Sequence, residues 1–112
     1  SGRADDMLVI RGVNVFPTQI EEVLLKIPEI GPHYEILVER KNRLDVMTIT
    51  VELIDDRLLD SYTKLSELEQ RIKAGLKSQL GLATQIKLVA PNSLQRFEGK
   101  AKRVTDLRKD GL

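Results

Sequence analysis

The sequence predicts an α+β domain, and three observations carry that expectation. Two segments place apolar residues at helical spacing, two others alternate apolar and polar residues with period two, and turn-forming residues separate them in the order β, α, β, β, α, β. At 112 residues with 41% hydrophobic content, the chain is long enough to bury one core and fits one domain over 1–112.

The first run, MLVIRGVNVFP, divides β-branched residues by Arg11-Gly12 and predicts a strand, a turn and a second strand. Pro17 suits the first turn of a helix, and Glu21 and Glu22 are expected to favour the positive end of its dipole. Ile20, Val23, Leu24 and Ile27 form its buried stripe, and Pro28 with Gly31-Pro32 ends it. Tyr34, Ile36 and Val38, then Met47, Ile49, Val51 and Leu53, alternate with polar residues such as Thr48, Thr50 and Glu52, so two strands with one wet face are expected over 34–39 and 46–53. The short polar link RKNRLD makes them an antiparallel hairpin. A second helix follows over 62–80 on Leu65, Leu68, Ile72, Leu76 and Leu80, with Gly81 as its C-terminal cap and a solvated face of Glu67, Glu69, Arg71, Lys73 and Lys77. Residues 85–89 make a last strand. This order is that of a ferredoxin-like βαββαβ sheet with two helices on one face. Apolar periodicity stops after Ala90, so the fold is expected to close near residue 90 and leave 91–112 as an irregular tail.

Eighteen basic against 17 acidic residues give a net charge of +1, which offers no global field for nucleic acid or an anionic membrane. The absence of cysteine excludes disulfides, thiolate metal sites and a thiol nucleophile, and suits a reducing cytoplasm. No segment has the length and apolarity of a membrane span, and no signal peptide opens the chain. His33 stands alone between Pro32 and Tyr34 and reads as a loop or strand-edge residue, so no metal site is expected. No Gly-rich phosphate loop is present, and the sequence opens SGRADD without methionine, which reads as a piece of a longer protein.

The polar residues that the core does not explain lie at the two ends, GRADD and RFEGKAKR, which are candidates for one shared surface. Lys100 follows Gly99, which lets backbone approach closely, and a lysine ammonium can neutralise phosphate and carboxylate oxygens together. A solvated tail lysine is the alternative. Arg3 with Asp5 and Asp6 reads either as a charged site or as a turn before the first strand, and Gly12 as a hairpin glycine. From the residues alone, function stays open between an anion-handling lid and an interaction module.

Taken together, GRADDMLVIRGVNVFPTQIEEVL and GKAKRVTDLR resemble the bounding motifs of the C-terminal domain of adenylate-forming acyl- and aryl-coenzyme A ligases, most nearly the phenylacetate type. The resemblance runs from Gly2 to Arg108, and the first motif is the more specific. It departs at Gln95 and Phe97, where such ligases often carry a proline and a small hydroxyl residue.

The resemblance implies a mobile lid on an N-terminal adenylation domain. The whole enzyme would use ATP, Mg2+ and a small carboxylic acid to make an acyl adenylate, then transfer the acyl group to coenzyme A. It further implies that Lys100 is the catalytic adenylation lysine, carried on the tail 91–112, that Arg3 contacts the nucleotide, that Asp5 is the hinge, and that Gly12 lies beside the coenzyme A channel. The fragment alone would be inactive, would bind none of these ligands tightly, and would have no nucleic-acid or membrane partner. A cytoplasmic location follows. The alternative is a stand-alone ferredoxin-like regulatory, ligand-binding or dimerisation domain.

Overall fold

A mixed four-stranded sheet, ordered β5-β4-β3-β6, carries two helices on one face in the computed structural model, which describes residues 7–96 and 103–108. Ahead of it stands a separate two-stranded hairpin of β1 (Leu8–Ile10) and β2 (Val13–Val15), joined through Arg11-Gly12 as the sequence predicts. Helix α1 (Pro17–Leu24) follows, then β3 (Ile30–Lys41) and β4 (Leu44–Leu53), a 3-10 turn (Asp56–Asp60), α2 (Tyr62–Leu80), β5 (Gln85–Val89) and β6 (Val104–Asp106).

Strands β3 and β4 are antiparallel, with Tyr34 opposite Val51, Ile36 opposite Ile49 and Val38 opposite Met47. These six point to one face and are all buried, together with Ile20 and Leu24 of α1 and Leu68, Ile72, Leu76 and Leu80 of α2. Each such side chain contributes about 1.5–3 kcal/mol by leaving water. Ile10 and Val15 tuck the hairpin into the same core. Ser61 caps α2 by accepting from the Lys64 N–H, and Gly81, at φ 80°, closes it in the left-handed conformation expected of that glycine.

The expected α+β class and the helix-bearing face are borne out, while four details differ. The tail beyond residue 90 is not wholly irregular: β6 joins the sheet parallel to β3, through Ile36–Val104 and Val38–Asp106, and supplies the edge strand beside β3. Strand β3 begins at Ile30 rather than Tyr34, because Gly31 and Pro32 fit a register shift between Ile30 and Tyr34. Pro32 is tolerated there since β6 pairs only from Ile36 onward and leaves that edge open. Glu21 and Glu22 lie beyond the first turn of α1, too far along to meet its dipole, and Gln19 instead accepts from the Phe16 N–H at 2.9 Å. The second face of β4 is not uniformly wet, since Thr48 and Glu52 are buried.

Candidate functional site

The described parts of the two chain ends meet at Asp45, the second residue of β4. The turn of the first hairpin has positive φ at both positions, 49° at Arg11 and 80° at Gly12, the pattern of a two-residue turn matched to strand twist. Positive φ is costly for an arginine, and two hydrogen bonds offset it. The Arg11 N–H donates to Asp45 Oδ2 at 2.8 Å, and its guanidinium donates to the Ala83 carbonyl at 2.6 Å. A Cβ built on Gly12 would meet nothing within 4 Å, so this side of the turn opens onto free space.

Asp45 also accepts from Arg40 Nε at 3.0 Å and from Arg108 Nη1 at 3.1 Å. Arg108, just past β6, donates from the same nitrogen to the Val9 carbonyl at 2.6 Å, and its Nε and Nη2 hold Asp106. The Arg11 N–H, followed by the Arg40 and Arg108 guanidiniums, holds the Asp45 carboxyl below its usual range. One carboxylate thus fastens the Gly12 turn to the end of β6. Arg11, Arg40 and Arg43 line a surface depression of about 470 Å³ beside it.

The other end of β4 carries a second carboxylate. Glu52, with 5% of its side chain exposed, accepts from the Asn92 N–H at 3.0 Å, from the Leu94 N–H at 2.8 Å, and from both terminal nitrogens of Arg96 at 2.6 and 3.1 Å. Arg96 also donates to the Leu94 carbonyl and to Asn92 Oδ1. Asn92 sits at φ 64°, a left-handed position that asparagine tolerates, and the Ser93 hydroxyl donates back to the Ala90 carbonyl at 2.6 Å. The Arg96 fork, with the two backbone N–H groups adding to it, lowers the Glu52 pKa from 4.5 to about 2. The loop after β5 is therefore wrapped around a buried anion.

A third contact lies at this same end, next to Val51. Arg103 lies over the Tyr34 ring at 4.5 Å from its centroid and pairs with Glu21 at 3.5 Å, while the Tyr34 hydroxyl donates to Glu21 at 2.9 Å. Burial raises the Tyr34 pKa. Arg96 and Arg103 flank the six residues that include Lys100 in the sequence.

Of the residues singled out from the sequence, Gly12 is placed at the turn and faces open space; Arg3, Asp5 and Lys100 lie outside the described residues. Sequence reasoning missed Asp45, Glu52, Arg96, Arg103 and Arg108 as organising groups. The available signal was Glu52 in an apolar-rich strand, followed by a loop containing Pro91, Asn92 and Arg96. Among the described residues no three His, Asp or Glu side chains gather to hold a metal ion. No helix among them is long and apolar enough to cross a membrane.

The model of the AMP-binding enzyme C-terminal domain family matches residues 12–108. The phenylacetate-coenzyme A ligase of Escherichia coli K12 is 43% identical over 108 residues, covering 96% of this chain and 25% of that protein. The chain spans about a quarter of the length of the curated relatives it matches. A solved domain of phenylacetate-coenzyme A ligase from Bacteroides vulgatus superposes with a TM-score of 0.84 at 39% identity, covering 97% of this chain and 99% of that one. The 2-hydroxyisobutyryl-CoA ligase, solved with 2-HIB-AMP and CoA in its thioesterification state, superposes with a TM-score of 0.83 at 31% identity over 94% of this chain and 22% of that one. In its postadenylation state with 2-HIB-AMP the TM-score is 0.80 at 32% identity, over 96% and 22%.

Proposed function

We propose, since this chain belongs to the AMP-binding enzyme C-terminal domain family, that it is the mobile lid of an ATP-dependent acid-coenzyme A ligase of the phenylacetate type. Its partner is an N-terminal adenylation domain of the same enzyme, and the whole works in the cytoplasm on a small carboxylic acid. In the first half-reaction an acid carboxylate oxygen bonds to the α-phosphorus of ATP and the bond to pyrophosphate breaks. In the second, the coenzyme A sulfur attacks the acyl carbon, AMP leaves, and the thiol proton is lost.

The observation that carries this reading is the separation of the two anchoring carboxylates on β4. Asp45 holds the turn bearing Gly12, whereas Glu52 holds the loop that runs toward Lys100 in sequence. They occupy opposite ends of the strand. On this reading the domain presents one end and then the other to a single active site and turns between half-reactions, which is catalysis gated by domain motion. The solved postadenylation and thioesterification states of 2-hydroxyisobutyryl-CoA ligase support the same two-step scheme.

In the adenylation pose Lys100 bridges the acid carboxylate and the α-phosphate, neutralising charge that grows in the transition state. Arg3 contacts the nucleotide and Asp5 is the hinge. In the second pose Gly12, whose missing side chain leaves open space, borders the pantetheine arm. The arginine-lined depression beside it suits the anionic phosphates of coenzyme A. Magnesium enters bound to the phosphates of ATP.

The test is pyrophosphate release by the full-length enzyme with ATP, magnesium and a panel of aryl and alkyl acids including phenylacetate, comparing native protein with Lys100→Ala. Acid-dependent release lowered by on the order of 10²–10³-fold in the variant is expected. No release from a folded native enzyme with any acid would favour a stand-alone ligand-binding domain.

A further inference from the structure

The carboxylate of Glu52 does more than complete a sheet. It takes both fork nitrogens of Arg96 and two backbone N–H groups, so Asn92, Leu94 and Arg96, alternate residues of the loop, are all referred to one buried point. Arg96 is itself 42% exposed and reaches inward, back past Leu94 and Asn92, to make that contact. A bidentate guanidinium–carboxylate pair fixes orientation as well as distance, which a single lysine contact would not. Only Phe97, Glu98 and Gly99 separate Arg96 from Lys100.

We infer that Glu52 and Arg96 are positioning residues for adenylation, holding the chain that leads into Lys100 so that its ammonium arrives aligned with the reacting phosphate. This rests on the adenylation role proposed for Lys100. Alignment matters because a displacement of about 1 Å at a reacting centre costs on the order of 10²-fold in rate. The second half-reaction draws on the Gly12 turn at the opposite end of β4 and does not need this pair.

The experiment uses the full-length enzyme with Glu52→Gln, Arg96→Gln, the double variant, Arg96→Lys, and Lys100→Ala as reference. Two rates are measured for each: pyrophosphate release with ATP, magnesium and phenylacetate, and thioester formation from synthetic phenylacetyl adenylate with coenzyme A. We expect Glu52→Gln and Arg96→Gln each to lose at least tenfold in pyrophosphate release while thioester formation stays within twofold. The double variant should be no worse than the poorer single one, as for two halves of one contact. Arg96→Lys, which keeps the charge but loses the fork, should recover only part of the rate.

Arg96→Gln carries the test should Glu52→Gln fold poorly, because Arg96 is half exposed. Equal loss in both half-reactions with a lowered melting temperature would mean a structural role only and overturn the inference. So would native adenylation in both single variants while Lys100→Ala abolishes it. Native adenylation in Lys100→Ala would instead sink the role proposed for that lysine, and this inference with it.

Discussion

Asp45 and Glu52 lie seven residues apart on β4, near its two ends, and their side chains leave opposite faces of the sheet. At a rise of about 3.3 Å per residue the separation is roughly 23 Å. Each gathers donors from segments distant in sequence: Asp45 from Arg11 and Arg108, Glu52 from the Asn92–Arg96 loop. A single regular strand therefore sets the spacing between two surfaces that the proposed reaction uses in turn.

If Asp45 serves the Gly12 turn, Asp45→Asn should weaken acyl transfer more than adenylation. The amide keeps the shape but removes the charge that three donors share and replaces one acceptor oxygen by a donor, so the bond that supports the Arg11 backbone at φ 49° weakens. A stability loss of about 1–3 kcal/mol is expected in urea unfolding, with thioester formation reduced several-fold and pyrophosphate release near native. Native transfer kinetics would count against Asp45 as the anchor of that turn.

The Glu52 pKa makes a prediction with a definite sign. Its folded value, about 2, lies below the ordinary 4.5. The contribution is thus complete above about pH 4.5 and is lost as pH falls toward 2. At about 1.4 kcal/mol per pH unit the shift amounts to at most on the order of 3 kcal/mol. Urea unfolding of the native chain and of Glu52→Gln should differ most near neutral pH and converge in acid. A constant difference across that window would mean that ionisation of Glu52 is not what stabilises the loop.

The approach of the two helices gives a packing test. A Cβ on Gly75 of α2 would sit 3.0 Å from Val23 Cγ1 of α1. Gly75→Ala gains helix propensity of about 1 kcal/mol, which the tight contact offsets. Gly75→Leu has no such room and should destabilise by about 1–3 kcal/mol through overpacking. Equal stability of native and Leu variants in thermal unfolding would show that the helices separate freely.

How much of this was legible beforehand follows from which signals are local. Leu68, Ile72, Leu76 and Leu80 announce α2 by spacing alone, and Gly81 its end, because helix periodicity and capping involve neighbours in the chain. Arg11-Gly12 likewise reads as a turn. Val104, Thr105 and Asp106 do not announce β6, since three residues are too few to show a period and their partners lie far back at 36–38. Glu52 was misread for the same reason: alternation assigns it to the solvent side, and only the folded loop converts that position into a buried anion site. The resemblance named Lys100, but no local pattern marks the carboxylate that holds the loop before it.

The Gly12 turn separates backbone strain from steric blockage. Any side chain at φ 80° is strained, by roughly 1 kcal/mol, yet within this domain a Cβ meets nothing within 4 Å. Gly12→Ala and Gly12→Leu therefore share one backbone cost and differ in how far they project from the turn. If the turn borders the pantetheine arm, adenylation should remain near native in both, whereas thioester formation should fall modestly in the Ala variant and by at least a hundredfold in the Leu variant. Matched melting temperatures of the two variants would assign that gap to volume. Transfer that falls equally in both would trace to the turn's conformation and remove Gly12 from the channel.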